Sequence, residues 1–249
     1  MEIGALSWRV KAMATQIEHI EAFIAEGSDL ILVEPVTSEG LEPVLGKARS
    51  ARIPVIAVGN PTSGADAIVG TDNTKAGVLA ATLLARSLGG KGAVALVDGT
   101  AITANADRMS GFVEVLAEHP ELTAVIRLRG ALDQLSGEAA ARDLLASGKP
   151  IDGIFAANDQ IALGIAKVLA EQDRPVPIVS VDGVRQAVEQ IRAGGPIIGT
   201  AAQDPQQLAA VALEVGMALR SGSSRAPHAI FLPPRIIDST TVDGYEPWG

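Results

Sequence analysis

Three polar side chains stand where short apolar runs stop: Asn158, Asp182 and Gln203. The run Asp152-Gly153-Ile154-Phe155-Ala156-Ala157 is too short for a helix. From Gln160 onward Ile161, Leu163, Gly164, Ile165, Val168 and Leu169 recur at helical spacing, which predicts a buried strand passing straight into a helix with Asn158 and Asp159 at the junction. In open α/β sheets the carboxyl end of a strand is where ligands sit. Both residue types cap helices well, and one cap is enough. Capping is therefore assigned to Asp159 and ligand contact to Asn158. Asp182 follows the strand expected at Ile178 to Val181, and Gln203 follows the one expected at Ile197 to Thr200. The three supply one carboxylate and two carboxamides. A carboxylate accepts charge-assisted bonds from neighbouring hydroxyls, while a primary amide both donates and accepts, so the set suits a sugar or polyol. The competing role for Asp182 is capping the helix that begins near Val184.

Other chemistries find little support. His19, His119 and His228 form no i,i+4 pair and no acid cluster of metal-ligand form, so no metal or cofactor is expected. No G-x-S-x-G elbow, P-loop or G-x-G-x-x-G occurs, and Gly89-Gly90-Lys91-Gly92 ends a helix where a phosphate loop would begin one. Asp98, Asp107 and Asp133 read as caps or solvated charges, and no catalytic residue is assigned. With no cysteine, disulfides and thiolate catalysis are excluded. The balance of 20 basic and 29 acidic residues, net −9, argues against nucleic acid as a partner, which needs clustered Lys and Arg. The longest apolar run, Ala76 to Ala85, falls short of the ~18 residues of a membrane span. Met1-Glu2-Ile3-Gly4 does not resemble a signal peptide.

The elements that must position these groups alternate. Strands are expected at Ile3 to Leu6, Asp29 to Val33, Ile53 to Val58, Ala67 to Gly70, Ala93 to Val97, Ala124 to Leu128 and Gly153 to Ala157, besides the two before Asp182 and Gln203. Helices are expected at Met13 to Ala25, Ser38 to Ala48, Asp72 or Asn73 to Leu88, Asn105 to Glu118, Asp133 to Ala146, Gln160 to Glu171, Val184 to Ala193 and Pro205 to Arg220, with a flexible loop at Ser221 to Ser224. Such alternation means βαβ units and parallel sheets covered on both faces. The pattern also repeats. Asp29 to Val33 and then Ile53 mirror Asp152 to Ala156 and then Val176, with the same interval (53 − 29 = 24; 176 − 152 = 24), so the halves are related by a shift of 123 (152 − 29). By that shift the first half lacks about a strand and a helix at its front.

Five motifs in order carry a family resemblance: Val69-Gly70-Thr71-Asp72-Asn73, Asp107-Arg108-Met109-Ser110-Gly111-Phe112, Phe155 to Gly164 with Asn158-Asp159-Gln160, Val181-Asp182-Gly183, and Ala201-Ala202-Gln203-Asp204-Pro205. They resemble the sugar-binding type I periplasmic binding proteins, the solute receptors of ABC importers that include the ribose and galactose binders. The resemblance implies an α/β fold of two Rossmann-like lobes: residues 1–99 plus 204–232, and residues 100–203 plus 233–249. Crossings between them are expected near Asp98 to Thr100, Gln203-Asp204 and Leu232-Pro233. A polyhydroxylated ligand would bind in the cleft, with hinge closure of the lobes. Asn158, Asp182 and Gln203 all match ligand contacts of the ribose-binding type, although a hinge hydrogen bond competes as the role of Gln203. Asn60, Asn105 and Trp8 are further candidates, against turn formation, helix capping and packing respectively. The partners implied are a sugar or polyol and a membrane permease, in a periplasmic setting. A monomer is expected, with association through the incomplete first sheet as the route to a dimer.

Departures from the family pattern bear on the ligand. Sugar binders commonly place Asp-Arg after the strand that here ends Val58-Gly59-Asn60, a further Arg at the position aligned with Ala106, and an aromatic residue at Leu132. None of these is present, which points away from ribose or galactose in the usual pose. Two other readings remain: the effector-binding core of a repressor of the same fold, and an enzyme acting on sugar phosphates.

Overall fold

The computed structural model describes residues 3–222 and 228–249, with the side chains of residues 3–11 outside that description. In chain order the elements are α1 (Ile3–Ala25), β1 (Ile31–Val33), α2 (Glu42–Ser50), β2 (Val55–Gly59), β3 (Ala67–Thr71), α3 (Asn73–Ser87), β4 (Gly92–Asp98), α4 (Thr103–Glu118), β5 (Leu122–Arg129), α5 (Gln134–Ala146), β6 (Gly153–Ala156), α6 (Asp159–Glu171), β7 (Ile178–Asp182), α7 (Arg185–Arg192), β8 (Ile197–Ala202), α8 (Pro205–Arg220), β9 (Ala229–Leu232) and β10 (Arg235–Asp238). The expected order of strands and helices is therefore the observed one from β1 to α8, and two strands that were not expected, β9 and β10, follow it. The loop expected from Ser221 passes outside the described residues after Gly222.

The front of the chain differs from expectation. Ile3 to Leu6 is helical, not a strand. No glycine or proline falls between Ala5 and Glu26, so nothing stops the helix until Gly27, which takes φ 73. The helix expected at Ser38 begins only at Glu42, after Gly40 at φ 94 and with proline in its first turn.

The chain divides into two compact units: Met1–Thr71, Ile102–Ala104 and Asp204–Leu232 in the first, and Asp72–Ala101, Asn105–Gln203 and Pro233–Gly249 in the second. The boundary expected at residue 99 thus lies at Thr71. The reason is packing: α3 covers β7, β8, β6 and β10, and β4 pairs with β5 and β6, so residues 72–99 belong to the second unit. Between these stretches, residues 102–104 return to the first unit. There the Thr103 hydroxyl and backbone N–H lie 2.9 and 3.0 Å from the Ser38 Oγ.

Each unit is built on one sheet. The first has the order β1-β2-β3-β9, and the second β10-β8-β7-β6-β4-β5. All pairings are parallel except β10 with β8. The internal repeat shows in the register. Ile31 pairs with Val55 and Ile154 with Ile178, the same offset of 24 in both units (55 − 31; 178 − 154). Helices follow the same symmetry with an exchange: α3 follows a strand of the first unit but covers the second sheet, and α8 follows a strand of the second unit but covers β1, β2 and β3.

Among the described residues the first sheet has no counterparts of β4 and β5, two strands where the repeat predicted one missing. Consequently β1 is an edge strand, and Leu32 in its middle is 41% exposed. Its counterpart by the shift of 123, Phe155, is fully buried and stacks on Phe112 of α4 with ring centroids 4.2 Å apart.

Candidate functional site

Parallel strands point their carboxyl ends the same way, so β6, β7 and β8 deliver Ala157-Asn158, Asp182 and Gln203 to one edge of the second sheet. α4 brings Arg108 to that edge. Its spacing explains this: Ala104, Arg108, Phe112 and Val115 share one helical face, and all four are buried. α4 also lies very close to α3, because a Cβ on Gly77 would come within 1.9 Å of the Arg108 carbonyl and one on Gly111 within 2.0 Å of the Thr74 carbonyl.

Arg108 ties the strand ends together. Its Nε donates to Asn73 Oδ1 at 2.8 Å, its Nη1 to the Ala157 carbonyl at 2.8 Å, and its Nη2 pairs with Asp182 Oδ1 at 3.1 Å. Gln203 Nε2 donates to the same Asp182 oxygen at 2.6 Å, and the Gln203 backbone N–H donates to the Asp182 carbonyl at 3.0 Å. One carboxylate oxygen thus takes two donors. The ion pair is shielded, with side-chain exposures of 8% for Arg108 and 14% for Asp182. Burial raises the Asp182 carboxyl above its ordinary value, while the Arg108 charge and the Gln203 and Arg108 hydrogen bonds pull it back down.

Beneath this pair lies a second carboxylate. Asp159 is fully buried. Its Oδ1 accepts from the Ser180 and Thr200 hydroxyls at 2.5 and 2.7 Å, and its Oδ2 from the backbone N–H groups of Gly183 and Val184, both at 2.8 Å. Burial first, and then the Asp182 charge, push its carboxyl up to about 7 against the pull of these donors. Asp159 organises the turn after β7 and so fixes the backbone that presents Asp182.

Residues 9–224 match a family model described as a periplasmic binding protein domain. The chain belongs to that family. Among curated proteins it is similar to a xylitol-binding protein of Mycolicibacterium smegmatis, 29% identical over 229 residues that cover 90% of this chain and 65% of the relative. A ribose import binding protein of Bacillus subtilis is 26% identical over 202 residues, covering 80% and 65%. The chain therefore spans about two thirds of the length of these relatives, 65% in each case. Among solved structures, an ABC transporter periplasmic solute binding protein from Actinobacillus succinogenes with bound D-allose superposes with a TM-score of 0.88 at 26% identity, covering 94% of this chain and 85% of that one. A solute binding protein from Mycobacterium smegmatis with bound glycerol gives 0.87 at 29%, covering 93% and 82%. These relatives share the two-lobed α/β fold expected from the sequence.

The periplasmic binding protein fold places the six predicted site residues unequally. Asp182 and Gln203 meet directly, and Asn158 lies one residue from the carbonyl that Arg108 holds. The assignment of the helix cap is reversed. Asn158 is the N-cap of α6, its Oδ1 accepting from the Ile161 N–H at 3.0 Å and its Nδ2 donating to the Leu132 carbonyl at 3.3 Å. Asp159 instead faces inward to the turn after β7. Asp182 is not a helix cap either, since Val184 holds the N-cap position of α7.

Asn105 lies inside the first turn of α4, not at its cap, and its Nδ2 donates to the Thr100 carbonyl at 2.8 Å. Asn60 belongs to the first unit, where its amide meets the Pro35 carbonyl, the Ser38 hydroxyl and the Ala104 N–H at 3.3 to 3.4 Å. Trp8 is on α1, and its side chain lies outside the described residues. Of the aspartates expected as caps or solvated charges, Asp98 pairs with Arg127 at 2.6 Å and Asp133 caps α5. Burial and the nearby Asp72 raise the Asp107 carboxyl. No group of residues able to hold a metal occurs among those described, and no described helix is long and apolar enough to cross a membrane.

Arg108 and its support Asn73 are the residues that sequence reasoning missed. Both stand inside the family motifs quoted above, at Asp72-Asn73 and Asp107-Arg108, without having been assigned to the site. The signal for Arg108 was present all along, as a lone charge on the apolar face Ala104, Met109, Phe112, Val115.

Proposed function

We propose that this chain is the substrate-binding component of an ABC-type importer and that it takes a small sugar or polyol at the strand ends of the second unit, through Arg108, Asp182, Gln203 and Asn158. The observation that carries this reading is the shielded Arg108–Asp182–Gln203 cluster. A charged donor, a charged acceptor and an amide at one sheet edge match the alternating donors and acceptors of adjacent hydroxyl groups. The relatives named above support it, because two proteins similar in sequence bind xylitol or ribose by their names and two similar structures hold D-allose or glycerol. Asn60, in the first unit, and Asn105, on α4 and bonded to Thr100, stay outside this set because neither stands at a strand end of the second sheet. The reading includes no turnover. It takes the receiving partner to be a membrane permease, the setting to be extracytoplasmic and the receptor to be a monomer.

Differential scanning fluorimetry followed by titration calorimetry, with xylitol, glycerol, D-allose, ribose and myo-inositol, tests it directly. At least one of these raises the melting temperature and binds with a measurable heat. Binding by none at millimolar concentration, or turnover of a sugar phosphate, refutes the proposal.

A further inference from the structure

The turn that presents Asp182 is conformationally demanding. Asp182 has φ 133 and Gly183 φ 85, two successive residues in the region that L side chains rarely adopt. A non-glycine residue persists there only when its surroundings over-determine it. Asp159 holds one side of this turn by taking the N–H groups of Gly183 and Val184. The other side is held by a segment remote in sequence. Trp248 Nε1 donates to the Asp182 carbonyl at 2.8 Å, and the Tyr245 hydroxyl donates to the Gly183 carbonyl at 3.0 Å. This segment is itself anchored. The Arg185 N–H donates to the Trp248 carbonyl at 3.1 Å, Val184 and Trp248 form a parallel bridge, and the Arg235 guanidinium lies 4.7 Å over the Tyr245 ring. A Cβ at position 183 would stand 2.4 Å from the Tyr245 hydroxyl, so the fit leaves room for glycine alone.

We propose that Trp248, assisted by Tyr245, is a positioning residue for ligand binding. Its indole N–H fixes the Asp182 carbonyl, and with it the rare backbone conformation that aims the Asp182 carboxylate at Arg108 and Gln203. Ligand affinity then depends on residues 245–248, which need not touch the ligand. The proposal rests on the sugar or polyol reading above for its affinity test, but the geometry at Arg108 can be read without any ligand.

The test is Trp248→Phe, which keeps an aromatic ring and removes the N–H. Affinity for xylitol and D-allose is measured by calorimetry at a temperature where melting curves show both proteins folded. The expected result is a fall of about tenfold, the size of one lost hydrogen bond. Because the effect runs through Asp182, Trp248→Phe added to Asp182→Asn should weaken binding no further than Asp182→Asn alone. Unchanged affinity in Trp248→Phe, or fully additive losses, overturns the proposal. If the parent protein binds neither compound, the transport reading loses that support, and the proposal is judged on the ligand-free protein. There the Arg108 guanidinium resonances must shift in Trp248→Phe, and unshifted resonances overturn it.

Discussion

Replacing Arg108 by methionine keeps much of the buried stem and removes the guanidinium. The loss includes a bond to Asn73, a bond to the Ala157 carbonyl and the ion pair with Asp182. Because both partners are more than four-fifths shielded, little solvent can replace what is lost. Removing one side of a buried pair costs ~3–5 kcal/mol, since the other charge is left desolvated. Against a total stability of ~5–15 kcal/mol this is a large fraction. The deficit must also depend on pH. Burial already raises the Asp182 carboxyl, and Arg108 is the largest influence holding it down. Without Arg108 it rises further. A carboxyl raised in the folded state contributes stability that is fully present below its unfolded value, near 3.8, and is lost as pH climbs through the folded value. Arg108→Met should therefore trail the parent most at pH 8 and recover toward it at pH 5. Urea denaturation followed by far-ultraviolet circular dichroism at pH 8, 7, 6 and 5 measures this. A deficit under ~1 kcal/mol at pH 8, well below the buried-pair cost, or one equally large at pH 5, refutes the view that Arg108 neutralises Asp182.

Three further outcomes follow from the same geometry. Asp182→Ala removes the shared acceptor and should abolish the rise in melting temperature caused by a bound polyol; an unchanged rise takes Asp182 out of the site. Asp159, raised from 3.8 to about 7, should make stability decline as pH rises across that interval. Asp159→Asn can still accept from both backbone N–H groups, so its melting temperature should vary less with pH than the parent's, and an identical pH profile counts against the assignment. Gly77→Ala puts a methyl group 1.9 Å from the Arg108 carbonyl, so α3 and α4 must part, at a cost toward the upper end of the ~1–3 kcal/mol typical of overpacking. A melting temperature equal to the parent's contradicts the close approach of the two helices.

The strands from β1 to β8 and the helices from α3 to α8 were legible because parallel strands buried on both faces leave uninterrupted apolar runs, and the helices between them carry a clear stripe. β9 and β10, four residues each and exposed in part, lack that burial and were not. The duplicated spacing was equally legible, down to the strand register. What escaped depends on the third dimension. Nothing local tells Asn158 from Asp159 as the cap; the decision lies with Ser180, Thr200 and the turn at Gly183, all at least twenty residues away, which need a fully buried acceptor. Arg108 stood in a quoted motif, but its role depends on the helical phase of α4, which turns it to the buried face with Phe112 and Val115. The division of the chain was misplaced because a helix that follows β3 in sequence looks like part of the first unit until its packing is known.

That exchange of α3 and α8 also bears on how the molecule is made. While the chain is being synthesised, β1, β2 and β3 emerge early with α1 and α2 packed on β1 and β2, yet the helix that covers Ile56, Ala67 and Val69 begins only at Pro205 and the strand that extends their sheet only at Ala229. The second sheet likewise waits for β10. The first half therefore cannot complete its core before α8 arrives, and closure of such long loops slows the search for the native pairing. Until α8 and β9 follow, the face that carries Ile56, Ala67 and Val69 lies bare, and in that interval a chaperone has the most to protect.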